Sequence, residues 1–256
     1  MPSTKRHKIQ FPRNSQDLDQ DEAHFDVFQN GTSRTIRFHD YDEIYKVPGL
    51  YEQLFYDRLK CCSHKKVCEI LRTTVEQSHF NLTGLRVLDL GAGNGMVGEI
   101  LKGIGISRII GADIIPEAKD ATERDRPGVY DEYYVTDFTA LPQEEKEDLK
   151  SWSLDCLTCV AALGFGDIPK DAFIQAFNLL GAEGWVAFNI KETFLDNSDT
   201  SGFSKAIREL IFSEYLDLYH LERYRHRLSI EGEPLYYFAV AGRKNADIPP
   251  GIIGTE

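Results

Sequence analysis

The chain has 256 residues, 42% hydrophobic and 27% charged, which suits one globular domain with a full core. No apolar run approaches the roughly 18–20 residues that span a bilayer, and the opening "MPSTKRHKIQFPRN" lacks the apolar stretch of a secretory signal. A net charge of −12 disfavours nucleic-acid backbones as partners, and five cysteines without a signal point to free thiols in a reducing, cytoplasmic setting.

Residues 1–37 are polar and glycine-punctuated and read as a tail or linker, whose acid-free start is compatible with a transit peptide or a solvated tail. From Phe38 an aromatic segment, "FHDYDEIYKVPGLYEQLFYDRLK", is broken by Pro48-Gly49 and helical afterwards. Its Phe38, Tyr41, Tyr45, Tyr51, Phe55 and Tyr56 either close over a site as a lid or pack on the flank of a sheet. A helix starts near Ser63 with Val67, Ile70, Leu71 and Val75 on one face, so residues 38–80 form a helical lid and the first core helices. Cys61, His64 and Cys68 could share a helical face, but no fourth ligand is at hand; they read as packing, and no metal is expected.

The chain then alternates. Strands are predicted at 86–90, 108–113, 131–136, 154–160 and 184–191, with helices at about 95–103, 116–124, 143–150, 170–181 and 202–214. This spacing implies right-handed βαβ units and an α/β, doubly wound, mostly parallel sheet. Cys156 and Cys159 fall on one strand with a three-residue offset, so they face opposite ways as core thiols. Two final strands flank the turn Glu231 to Pro234 with no helix between, which adds an antiparallel strand. The core thus spans 81–245, and 246–256 read as a C-terminal tail.

"LRVLDLGAGNGMVGEIL" takes an apolar strand through glycines into a helix, the corner where nucleotide-type ligands bind. Gly93-x-Gly95-x-x-Gly98, with Asp113 20 residues after Gly93, fits the dinucleotide fingerprint. Against a dinucleotide stands Asp89, a carboxylate that would oppose a pyrophosphate and suit an ammonium group. A third acid, Asp137, follows the third strand, and the closing hairpin has no place in that reading. Any one of these aspartates alone reads as a helix N-cap or loop residue; three at successive strand ends do not.

These features together resemble the class I S-adenosylmethionine-dependent methyltransferases, over roughly Phe38 to Lys244. The resemblance implies a Rossmann-like, seven-stranded sheet with an antiparallel last strand, and S-adenosyl-L-methionine as cofactor. It implies that Asp89 holds the ligand's amino group, while Gly91, Ala92, Gly93 and Gly95 lie along its methionine part. Asp113 would chelate the ribose diol beside Ile114; Asp137 would take the adenine amino group, with the Phe138 backbone at the ring. Val160 and, from the lid, Tyr45 complete the cofactor contacts.

After the fourth strand, "CVAALGFGDIP" has Ala161-Ala162-Leu163-Gly164 where relatives that methylate adenine, cytosine or glutamine place Asn/Asp/Ser-Pro-Pro-aromatic. The paired glutamates of arginine-methylating relatives and a catalytic Pro-Cys are missing there too. That leaves catalysis mainly by proximity and alignment, and the resemblance implies a small-molecule methyl acceptor. Within the family, the arrangement is most similar to small-molecule enzymes, including the methyltransferase-like proteins of the Williams–Beuren region. A general base, if one is used, comes from His39, Tyr41, Tyr45 or His226, residue types that more often pack or face solvent. The alternatives are a protein or nucleic-acid methyltransferase on the same core, a dinucleotide oxidoreductase, and a non-catalytic cofactor-binding scaffold. Acidic charge argues against nucleic acid, Asp89 against a dinucleotide, and the intact glycine and carboxylate set against a scaffold.

Overall fold

The computed structural model describes residues 6–12, 23–29, 31–163, 167–195 and 202–249. The chain opens with strands rather than a tail: β1 (Lys8–Gln10), β2 (His24–Gln29) and β3 (Thr32–Arg37) form an antiparallel sheet in that order. This corrects the tail expected over 1–37, of which residues 1–5, 13–22 and 30 lie outside the described residues. The reason is alternation. In "HFDVFQ", Phe25 and Val27 turn inward, 0% and 2% exposed, and their polar neighbours face outward, as in any half-buried strand. Phe25, Val27 and Ile36 share one apolar core with Phe38, Ile44, Leu50 and Leu54, so the small sheet and the aromatic segment make a single packed unit. That segment runs through α1 (Tyr41–Tyr45) and a π-helical stretch, Glu52–Arg58. The amphipathic α2 (Ser63–Gln77) then buries Val67, Ile70, Leu71 and Val75.

The alternating part builds the expected core. β4 (Arg86–Leu90), β5 (Arg108–Asp113), β6 (Glu132–Val135), β7 (Cys156–Cys159) and β8 (Trp185–Lys191) pair in parallel. Between and after them lie α3 (Met96–Gly103), α4 (Pro116–Asp125), α5 (Gln143–Ser151), α6 (Lys170–Leu179) and α7 (Phe203–Phe212). The closing hairpin is β9 (Leu216–Leu228) and β10 (Pro234–Lys244), and β10 runs antiparallel to both β8 and β9. The sheet order is β6-β5-β4-β7-β8-β10-β9. The order in which the chain adds strands therefore reverses between the parallel neighbours β4 and β7, and the crevice beyond their carboxyl ends is where such sheets take ligands. Cys156 and Cys159 do face opposite layers of the core. The supposed C-terminal tail is anchored as far as Ile248, which is buried and whose N–H and C=O bond the Asn178 side chain, each at 2.9 Å. No helix among the described residues is long and apolar enough to cross a membrane.

Asp89 lies in the middle of this sheet, 1% exposed, with Thr158 as its register partner on β7. Tyr130 donates to its Oδ2 at 2.6 Å and Thr158 to its Oδ1 at 2.8 Å. Burial outweighs these bonds and pushes its carboxyl from 3.8 up to about 7. An acid whose folded pKa is raised stabilises the fold least when ionised, so this cost grows as pH rises from about 4 to about 7. At one pKa unit per 1.36 kcal/mol the cost reaches at most about 4 kcal/mol. Asp89→Asn keeps the shape and an acceptor while removing the charge. Thermal melts should show the variant more stable than wild type at pH 8, with the gain fading by pH 4. A pH-independent difference would contradict the assignment.

Candidate functional site

Three glycines shape the turn after β4. Gly91, Gly93 and Gly95 have φ of +72°, +54° and +85°, a region that side chains avoid. Space is short as well: a Cβ on Gly93 would stand 2.6 Å from the Tyr45 hydroxyl, and one on Gly91 2.7 Å from Ile168 Cδ1. The turn is pinned from β5. The Gly93 N–H donates to Asp113 Oδ2 at 2.9 Å, and the Ile115 N–H donates to Asp113 Oδ1 at 3.1 Å. The Gly93 carbonyl accepts from Thr122 Oγ1 at 2.9 Å and from the Tyr133 hydroxyl at 2.8 Å. Burial raises the Asp113 pKa, and the backbone donors work against that rise.

At the carboxyl ends of these strands opens a cleft of about 260 Å³. Of the residues singled out in the sequence, Gly91, Asp113, Ile114, Asp137, Phe138 and Val160 line it, and His39, Tyr41, Tyr45 and Tyr51 cover it from the aromatic segment. Asp137 is also a cap: its Oδ1 accepts from Thr139 N at 2.8 Å and Thr139 Oγ1 at 2.7 Å, which holds its carboxyl below the usual range. The cap is therefore real, and the same carboxylate lies on the cleft wall.

Four expected contacts do not reach the cleft. Asp89 lies behind the turn, 1% exposed and off the cleft wall, where Tyr130 and Thr158 each donate to one of its oxygens. Ala92 packs with Ala118, Ala121 and Tyr133, and Gly95 turns toward Thr122 and Val129. Gly93 spends its backbone on Asp113, Thr122 and Tyr133, under the Tyr45 hydroxyl. His226 is also absent from the wall: its ring stacks on Tyr237 at 4.0 Å, and its Nδ1 lies 2.5 Å from Ser63 Oγ. Cys61, His64 and Cys68 do not converge either. Cys61 precedes α2 and lies 3.9 Å from His226, His64 packs on Tyr56, and Cys68 joins the apolar layer. Among the described residues no three His, Cys, Asp or Glu side chains are placed to hold a metal.

Asp167 is the residue that sequence reasoning missed. It follows β7 in "GFGDIP", the stretch that lacks Pro-Pro-aromatic; Gly164 there lies outside the described residues. His39 Nδ1 sits 3.0 and 3.1 Å from its two oxygens, and the Tyr41 hydroxyl donates to Oδ2 at 3.4 Å. The covering segment is also latched to the core. Glu52 Oε1 accepts from Asn94 Nδ2 at 2.8 Å and Arg126 Nη1 at 2.9 Å, and Arg124 Nη1 donates to the Tyr45 carbonyl at 3.0 Å. The cleft thus offers two carboxylates on adjacent strand ends, an apolar slot at Ile114 and Phe138, and a histidine–aspartate pair under an aromatic roof.

Residues 88–188 match a family described as "Methyltransferase domain". The chain is similar to the ubiquinone biosynthesis O-methyltransferase of Burkholderia vietnamiensis, 28% identical over 112 residues, 44% of this chain and 47% of that one. It therefore spans about half the length of the curated relatives it matches. Its fold is similar to N-methyltransferase NodS from Bradyrhizobium japonicum, solved with S-adenosyl-L-homocysteine, at 13% identity and a TM-score of 0.53, covering 82% of this chain and 98% of that one. A methyltransferase from Anabaena variabilis gives 14% identity and a TM-score of 0.53, covering 82% of this chain and 96% of that one. The residues that match the methyltransferase domain hold the glycine turn, Asp113 and Asp137, and the seven-stranded sheet with its reversed β10 is similar to the fold of those solved methyltransferases.

Proposed function

We propose that the cleft binds S-adenosylmethionine and that the chain transfers its methyl group to a small-molecule acceptor. The observation that carries this is the pair Asp113 and Asp137, which open from neighbouring strand ends onto one cleft beside Gly91, Ile114 and Phe138. The residues fit the adenosyl group. Asp113 gives one acceptor site of each oxygen to a backbone N–H, and a carboxylate has further lone pairs for two ribose hydroxyls. Asp137 uses Oδ1 for its cap, which leaves Oδ2 for the adenine amino group. Ile114, 57% exposed, offers an apolar face to a flat ring.

Bound S-adenosylmethionine supplies a methyl carbon on a positively charged sulfur. Tyr41, Tyr45 and Tyr51 exclude water from the space above it, where approach and alignment do most of the work. Asp167 accepts from His39 Nδ1–H, a tautomer assigned from that carboxylate, and this bond orients the imidazole on the wall of the cleft. The Burkholderia relatives are O-methyltransferases of ubiquinone biosynthesis. An oxygen acceptor has a proton to lose, which gives the His39–Asp167 pair its task.

Two substitutions test the adenosyl contacts. Asp113→Ala removes charge-assisted bonds worth about 1.5–3 kcal/mol each, so calorimetry should show S-adenosylhomocysteine binding weakened at least about tenfold. NAD should not compete with it in the wild type. Unchanged affinity in the variant would remove Asp113 from the ribose contact. Asp137→Asn keeps the cap through its remaining oxygen and turns an amide donor toward the adenine. Wild type should prefer the adenosine ligand over its inosine analogue more strongly than this variant does, with melting temperatures alike. Equal discrimination would take Asp137 out of the site.

A further inference from the structure

Behind the roof lies a second, narrower space of about 40 Å³. Phe38, Phe55 and Tyr237 give it aromatic walls, and His226 and Arg227 bound it from β9. Both are only 5% exposed. Neighbours on a regular strand face opposite ways, so two adjacent buried residues need a cause. It is a bulge: Leu235 pairs with Arg227 and Tyr236 with Arg225, which leaves His226 as the extra residue. The aromatic segment then covers both side chains, with the Arg227 guanidinium 5.5 Å from the Phe38 ring.

Arg227 is poorly compensated. Of its five donors, one has a recorded bond, Nη1 to the Leu228 carbonyl at 2.9 Å. Among the described residues no carboxylate stands within ion-pair distance of it. Burial works against its charge, and the groups facing it that offset this are the phenols of Tyr41 and Tyr237 and the Cys61 thiol. His226 is held neutral by burial and adds no second charge. The only carboxylate on the chamber wall among the described residues is Asp167, which His39 and Tyr41 engage. A buried guanidinium among aromatic rings, fork donors unspent, is a receptor for a planar anion.

We propose that this chamber is the tail pocket of the methyl acceptor and that Arg227 binds a carboxylate there, which makes the acceptor a small organic acid. The word acceptor rests on the methyltransferase reading; the anion site does not. His39, Tyr41, Tyr51, Ala161 and Asp167 line both the chamber and the cleft. An acid seated on Arg227 therefore directs its other end to the His39–Asp167 pair, at the boundary with the cofactor cleft. The chamber has room for the carboxylate and little more, so the body of the molecule lies against the shared wall.

The test uses the full chain saturated with S-adenosylhomocysteine and titrated with acetate, benzoate and phenylacetate, each against its neutral amide. At least one acid should bind at least tenfold tighter than its amide. Arg227→Met should abolish that preference and Arg227→Lys retain part of it, with S-adenosylhomocysteine binding unchanged in both. Acids and amides that bind wild type alike would overturn the proposal, as would a preference that survives Arg227→Met. If Arg227→Met does not fold, the wild-type panel and Arg227→Lys decide by the same criteria. An acid preference that depends on Arg227 in a chain that fails to bind S-adenosylhomocysteine would uphold the anion site and overturn the cofactor assignment alone.

Discussion

The hydrogen bond from the Gly93 N–H to Asp113 Oδ2, 2.9 Å long, joins the turn after β4 to the end of β5. With Thr122 and Tyr133 on the Gly93 carbonyl, both backbone polar groups of that residue are committed. The turn then has one shape, and α3 leaves it from Gly95 in the left-handed region. Below the turn, buried Asp89 ties β4 to Thr158 of β7 and to Tyr130. Desolvation makes that carboxylate expensive when ionised, so it acts as an anchor with a pH-dependent cost. The cleft is what remains open once these bonds are made.

The His39–Asp167 side of the cleft comes from two parts of the chain that are distant in sequence. His39 and Tyr41 belong to the aromatic segment, and Asp167 to the loop after β7. Their geometry depends on how firmly that segment sits on the core. Three devices hold it: the shared apolar core with β2 and β3, the Glu52 latch to Asn94 and Arg126, and the Arg124 bond to the Tyr45 carbonyl. The small N-terminal sheet therefore braces the roof. A lid and structural packing need not be alternatives here, since the same side chains cover the cleft and fill the core around Phe38 and Phe55.

The parallel core was legible because its signals are local. Helices repeat apolar residues every three or four positions, and strands covered on both faces read as continuous apolar runs. β3 shows why the N-terminal sheet was not: in "TSRTIR" Ile36 is the one buried residue, and pairing rather than pattern makes it a strand. Asp89 marks a different limit. Its position in the glycine motif was plain, but its direction is set by Tyr130, 41 residues away, and by Thr158, 69 away. Asp113 and Asp137 were legible because strand ends converge on one edge of a doubly wound sheet. Asp167 and Arg227 carry no local signal: one acquires its role from His39, 128 residues away, and the other from a bulge that is visible only in the pairing register.

The most direct measurement is a crystal structure of the chain with S-adenosylhomocysteine. Its ribose should bond Asp113, its adenine should lie along Ile114 and Phe138 with its amino group at Asp137, and its sulfur should face His39 and Tyr41 beneath the roof. A ligand bound elsewhere, or one in this cleft with its ribose turned away from Asp113, would contradict the assignment of the cleft.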